Sequence, residues 1–495
     1  MNRYAEHHYR FQLPWSPLHR ARPEMIVDAP SLVAAGREIP LWLVVHDAHR
    51  FPRRLREVRV VVRAGGELRR LEKSFDLELS QPFHFVPLPF PEATAPGETL
   101  VDVIFRTEDR AGNIETFRNH SLPGLPPTPL KILRLATEFP FPKGWVSGDL
   151  HCHTHWSQDP VEFGADPAVL RDAAAAMGMD FFAASDHSYD FAWDSPDYMV
   201  PTDPEAAFAR FRASLPADAP GLPTVLPAEE VSCGNSRGQN VHLLVIDHPE
   251  YLPGQGDGGR RWFRNRPDLS LRRVLERTAA SGAPTFAAHP RPGIGWLERL
   301  VFRRGEFRED DMLPGLTGLQ FWNGHTGRDF REGRELWLRQ NLSGTRLRPA
   351  AGNDAHGDLN RSTGVRLPLF KLSASRKHRF GHARTWLFLG EDAATDRAAL
   401  REALKAAPCL LSDGPFLWID SQARLSARSL PDFGGWSEIV VWARIGNAEV
   451  EVLRETSTAL ELHRRLEVPA GALWLRAEGR TVLGRTAMTE MVALE

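Results

Sequence analysis

The chain has 495 residues, 42% hydrophobic and 25% charged, with Lys+Arg 61 against Asp+Glu 63 and a net charge of −2. This is globular composition, which excludes a disordered chain, and the charge balance excludes a globally basic nucleic-acid surface. Three cysteines (Cys152, Cys233, Cys409) at unrelated spacings exclude a disulfide framework and an all-cysteine zinc site.

At roughly 150 residues per domain, the length suggests about three domains. The opening MNRYAEHHYRFQLPWSP has no apolar signal core, and no run approaches the ~18 apolar residues of a spanning helix. A reduced, cytoplasmic protein without a membrane partner is the expectation. Arg greatly outnumbers Lys, so an Arg near a site says little by itself about phosphate.

Residues 1–125 read as β structure. LWLVVHDA (41–48), REVRVVVRA (56–64), PFHFVPLPF (82–90) and TLVDVIFRTED (99–109) alternate or carry β-branched residues between Gly, Pro and Asp. RTEDRAGNIETF (106–117) reads as two strands joined across a turn at Ala111-Gly112-Asn113, and the spacing of the short strands suggests an immunoglobulin-like β-sandwich. The Pro-rich stretch 121–130 reads as a stiff connection, and 126–144 as the linker to the next domain.

Between 145 and 412, strand-like runs alternate with helical ones: WVSGDLH, PAVLRDAAAAMGM, DFFAASDH, PTVLPAEE, QNVHLLVID, LSLRRVLERTAASG, PTFAAHP, GLQFWNG, DFREGRELWLRQNL and LRPAAGNDAH. Such alternation favours an α/β fold on a parallel sheet, closed into a barrel or open. The Gly- and Arg-rich segment 251–268 reads as a surface loop over the site. From 413 to 495 the strands return, as a small C-terminal β domain or an extension packed on the barrel.

Potential ligands gather at the ends of these strands. Alternation puts His151 and His153 on one strand face and Cys152 on the other, with the imidazoles about 6–7 Å apart along the chain. His155 lies where the strand turns away and is expected to be exposed. Asp186 and His187, Glu230, His242, His289, and Asp354 with His356 stand at or near the ends of the later strands. Carboxyl ends of strands are where barrels and open parallel sheets collect ligands. The pattern points to a metal site of His and carboxylate donors suited to Zn, Mn or Fe.

GDLHCHTHWSQD, SDH, EEVS followed by HLL, AHPR and NDAH, in this order over residues 145–360, resemble the polymerase and histidinol phosphatase (PHP) metallohydrolases. The resemblance implies a distorted (β/α)7 barrel holding two or three divalent ions. Carried over by motif, His151, His153, Glu230 and Asp354 bind the first metal. Glu230 bridges to a second, completed by His242 and His289, and Asp159, His187 and His356 hold a third. Two departures stand out: Ser157-Gln158-Asp159-Pro160 shifts a carboxylate by one residue, and Ala228-Glu229-Glu230 offers two carboxylates for one bridging role. Val231-Ser232 aligns better if Glu230 is the bridge. GWVSGDLHCHTHWS with LREALKAAPCLLSDGPFLWID (400–420) also resembles the carbaryl hydrolase-like subgroup, which brings in carbamate esters. Ser412-Asp413-Gly414-Pro415-Phe416 itself reads as a turn into a strand.

Two cations about 3.5–4 Å apart lower the pKa of a bridging water, and the resulting hydroxide attacks phosphorus or carbonyl carbon without a Ser or Cys nucleophile. The match Gly234-Asn235-Ser236-Arg237-Gly238 links two strands and reads as a turn, because a nucleophile elbow must lead from strand to helix. Candidate substrate contacts are Arg291, with Arg328 and Arg361 behind it, and His325 as contact or general acid, with Asn323 orienting that region. The leading expectation is a phosphoesterase acting on a small phosphorylated molecule or nucleotide. A carbamate or carboxylic ester hydrolase on the same metals is the alternative, and a binding or assembly protein with a vestigial barrel is a third. Homo-oligomer contacts, if any, are expected through the β domains.

Overall fold

The computed structural model describes residues 22–91, 95–122, 126–157, 164–193, 200–254, 256, 266–357, 359–361, 364–366, 371–373 and 378–495. Near the N-terminus, Glu24–Asp28, Trp42–His46 and Phe83–Pro87 form one antiparallel sheet. Arg53–Ala64, paired on both sides, is central to a second. Leu55 is buried, then the buried phase moves to Val58, Val60 and Val62, because a bulge between Leu55 and Glu57 shifts the register. These residues meet Met25, Val27, Leu43 and Val45 of the first sheet in one core. Leu130–Arg134, within the stretch expected as linker, instead pairs with Gly97–Asp109.

Seven strands follow in sheet order: β1 (Trp145–His153), β2 (Phe181–His187), β3 (Thr224–Gly234), β4 (Asn240–Ile246), β5 (Thr285–Ala288), β6 (Gly318–Asn323) and β7 (Arg348–Gly352). β1 to β3 are parallel, as are β5 to β7. The expectation of a parallel sheet throughout fails at β4, which runs antiparallel to both neighbours. Against β3 the reason is the short turn Asn235–Gln239, which leaves no room for the crossover that parallel neighbours need. Just past β7, Ala355 pairs with Cys152 and His356 with His153, so the end of the series returns to β1.

Helices between the strands cover the sheet with their apolar faces. Pro167–Ala176 begins with Pro at its first turn and an Asp166 side chain accepting from Ala168 N, and it buries Val169, Leu170, Ala173 and Ala174. Arg328–Leu342 presents Phe330, Leu336 and Trp337 to the core. On the other edge of β1, the sheet continues antiparallel through β8 (Arg384–Phe388) and β9 (Cys409–Ser412) into the C-terminal strands. A separate sheet of Phe416–Ile419, Arg424–Arg428 and Glu461–Arg465 packs over a core that includes Leu417, Leu425, Trp436 and Val441.

Candidate metal centre

β1 aims His151 and His153 inward, both at 0% exposure, while Cys152 Sγ turns away to the carbonyl of Ala183. Gly352 permits the close approach of β7, since a Cβ there would lie 2.5 Å from the His151 Cβ. On β3 the two neighbouring carboxylates part company. Glu230 faces the histidines, and Glu229 accepts from Ser188 Oγ at 3.1 Å and from Leu252 N at 3.3 Å. His289 and Asp354 enter from strand ends with φ of 29° and 53°, a backbone region that L-residues rarely hold outside constrained sites.

His151, His153, Glu230 and Asp354 converge with one donor atom each. His151 Nε2 lies 3.3 Å from His153 Nε2, 3.4 Å from Glu230 Oε2 and 3.3 Å from Asp354 Oδ1. His153 Nε2 lies 3.4 Å and 3.1 Å from the same two oxygens. With five of its six edges at 3.1–3.4 Å, the set approaches a tetrahedron of about 3.3 Å edge, whose centre lies about 2.0 Å from each corner, the distance at which zinc binds imidazole and carboxylate. This donor set therefore fits a divalent cation.

The other Glu230 oxygen serves a second group. Oε1 lies 2.6 Å from His242 Nδ1 and 3.0 Å from His289 Nε2. His187 Nδ1 reaches Oε2 at 2.9 Å. His153, His187 and His356 form a further cluster, with the His153 and His356 rings stacked at 4.1 Å. Asp159 lies outside the described residues.

Electrostatics follow from burial. Burial opposes charge on His151, but Asp354 and Glu230 outweigh it and raise this imidazole to about 9. Burial, with His356 and His187 alongside, holds His153 well below the usual histidine range. Burial also opposes the Glu230 carboxylate, yet His242, His151 and His187 keep it ionised far below its ordinary value. Glu229 has no such neighbours, and burial pushes it up to about 8. The cluster is thus two buried carboxylates ringed by imidazoles, a charge that divalent cations neutralise.

A supporting layer orients these groups, most of it unread in the sequence. Gln320 Oε1 lies 3.3 Å from His151 Nδ1 and accepts from His289 N at 3.0 Å. Asn323 donates to Asp354 Oδ2 at 3.2 Å, and Ser157 Oγ stands 3.2 Å from His153 Nδ1. Asp149 accepts from Asn353 Nδ2 at 2.7 Å, tying β1 to the turn before Asp354. Asp186 points away from the donors and caps the next turn through Thr154 N and Oγ1, both at 2.8 Å. Such partners of ligand side chains fix ring orientation and tautomer.

Arg304, absent from the sequence candidates, is 6% exposed and places Nη1 3.5 Å from His242 Nδ1. Its only sequence signal was an Arg among many. Arg361, expected at the rim, is 3% exposed, with Nε 3.8 Å from Asp28 Oδ2. Arg328 pairs with Glu332 on an exposed helix face, and Arg291 pairs with Glu306 at 3.4 Å. The His325 ring stands 5.9 Å from that of His378, whose Nδ1 is 3.0 Å from Asn353 O. His155 is only partly exposed and lies against Phe83. Gly234 to Gly238 spans the antiparallel turn between β3 and β4. Most of 251–268 lies outside the described residues.

No family model and no curated protein matches the chain. Among solved structures it is similar to a two-domain protein containing a predicted PHP-like metal-dependent phosphoesterase from Bacteroides vulgatus. The identity is 14%, over 72% of this chain and 98% of that one, with a TM-score of 0.38. It is also similar to a Bacteroides uniformis β-glucuronidase, at 12% identity over 95% of this chain and 61% of that one, with a TM-score of 0.20. Likenesses at these scores carry no assignment; the candidate metal centre rests on its own donors.

Proposed function

We propose that the chain is a metal-dependent hydrolase of the PHP type that cleaves small phosphoesters. The observation that carries this reading is Glu230, one oxygen of which joins the His151, His153 and Asp354 donors while the other meets His242 and His289. A carboxylate so placed suits a pair of adjacent cations, and His187 with His356 supplies donors for a third. Zn, Mn and Fe all accept such donors. The seven-strand series returning to β1 supports a distorted (β/α)7 barrel over 145–412, with a β-sandwich over 1–125 before it and the β region 413–495 after it.

When bound, the cations would supply Lewis-acid polarisation of the substrate and activation of a water. The chain's own residues hold the geometry. Gln320 fixes the His151 ring and the His289 backbone, and Asn323 fixes Asp354. The buried Arg304 guanidinium beside His242 adds positive charge next to the donor cluster and would favour an anionic substrate there. Burial of the donor set excludes bulk water, which strengthens each of these interactions.

The motif likeness around Asp413 to Phe416 favours the carbaryl hydrolase-like subgroup, so carbamates belong in the test. The experiment is a parallel assay of 4-nitrophenyl phosphate and an aryl carbamate with the metal-loaded protein. Phosphate release supports the phosphoesterase reading. Carbamate turnover alone reverses the substrate class, and neither activity across a panel of Zn, Mn and Fe removes the enzymatic reading.

A further inference from the structure

A cleft of about 730 Å³ opens where the sheet of Phe416–Ile419, Arg424–Arg428 and Glu461–Arg465 faces the beginning of β1. Its walls are aromatic. The Trp145 and Trp418 rings meet edge-on with centroids 5.0 Å apart, and Phe388 and Phe416 flank Trp145 at 5.6 Å and 5.7 Å. Strand alternation builds this wall: Leu417 and Ile419 go to the core, so Phe416 and Trp418 fall on the opposite face. His463 and Arg465 of the third strand line the same cleft.

One detail of register gives the cleft its charge. Arg424 and Arg465 are direct cross-strand partners. Like charges in that position are destabilising unless something compensates them. Asp420 Oδ2 compensates Arg424 at 2.6 Å, and Glu455 takes Arg464. Among the described residues, the Arg465 guanidinium has no carboxylate or other side-chain partner. The aromatic corner and the uncompensated guanidinium line one cleft, with Asp420 of the same lining already engaged by Arg424, so together they offer stacking and charge to one small molecule.

We propose that this cleft binds a small flat-ring anion, its ring against Trp145 and Trp418 and its anionic group on Arg465. The site is separate from the metal centre, since Trp145 and His153 are the two ends of β1, about 26 Å apart at strand rise. Planar aryl or heteroaryl rings bearing one sulfonate, phosphate or carboxylate share the required chemistry.

The test is calorimetric titration of the full-length, metal-loaded protein with naphthalene-2-sulfonate, which offers no phosphoester to cleave. One molecule should bind per chain, with 2-naphthol and inorganic sulfate each at least about tenfold weaker. Arg465→Gln should weaken the sulfonate by about tenfold or more with metal content and thermal midpoint at wild-type values, and Trp418→Ala should weaken it as much with metal content unchanged. Absent binding, binding unchanged in both variants, or sulfate alone binding as tightly overturns the proposal. So does a dimer that Trp418→Ala dissociates, because the cleft would then be an interface between two copies.

Discussion

Asp28 Oδ1, at the end of a strand in the N-terminal sheet, accepts the backbone N–H of Arg361 at 2.8 Å. The same carboxylate takes Asn360 N at 2.9 Å and Leu359 N at 3.1 Å, all buried. Arg361 in turn donates Nη2 to the carbonyl of His356 at 3.2 Å. The N-terminal sheet therefore helps to shape one wall of the His and carboxylate cluster. Asp28→Ala leaves buried N–H groups without an acceptor and should cost about 2–4 kcal/mol in urea unfolding. Asp28→Asn keeps one oxygen and should cost less. An alanine variant as stable and as metal-replete as the wild type would show that the contact is dispensable.

Glu230 and Glu229 should separate cleanly despite being neighbours. Glu230→Gln removes a charge shared by both donor groups and should lower metal content and reduce turnover by at least about a thousandfold. Glu229→Gln keeps the acceptor for Ser188 and Leu252 and should leave turnover within about twofold. Elemental analysis beside the phosphatase assay reads both effects. The reverse result would mean that the wrong carboxylate has been given the bridging role.

Asp413 carries a pH signature of its own. Burial pushes its carboxyl up to about 6, against the pull of Arg485 and the Thr486 N–H. The ordinary aspartate value near 3.9 means that the unfolded chain ionises first as pH rises. The folded state then binds more protons than the unfolded one, so this group's contribution to stability is lost between about pH 4 and pH 6. Asp413→Asn, which keeps an oxygen for Thr486, should match the wild type near pH 4 and exceed it by about 3 kcal/mol at pH 7. Denaturant unfolding at the two pH values measures the difference; equal gaps at both would contradict the assignment.

Alternation along a strand is a local property, which is why the sequence shows His151 and His153 on one face and separates Glu229 from Glu230. Strand direction is not local in the same way. QNVHLLVID is buried on both faces whichever way it runs, so β4 read as one more parallel strand although the turn at Gly234 to Gly238 was visible. Contacts made across large sequence separations were also hidden. Nothing near Asp28 announces its partners more than 300 residues away, and nothing near Arg361 or Arg304 separates a buried guanidinium from the surface ones.

Metal stoichiometry on the purified chain tests the central claim most directly. Elemental analysis after exhaustive dialysis should find at least two divalent ions per chain in the wild type, with a clear loss in Glu230→Gln. Fewer than one ion per chain after loading with Zn, Mn or Fe would contradict the metal centre, and the hydrolase reading with it.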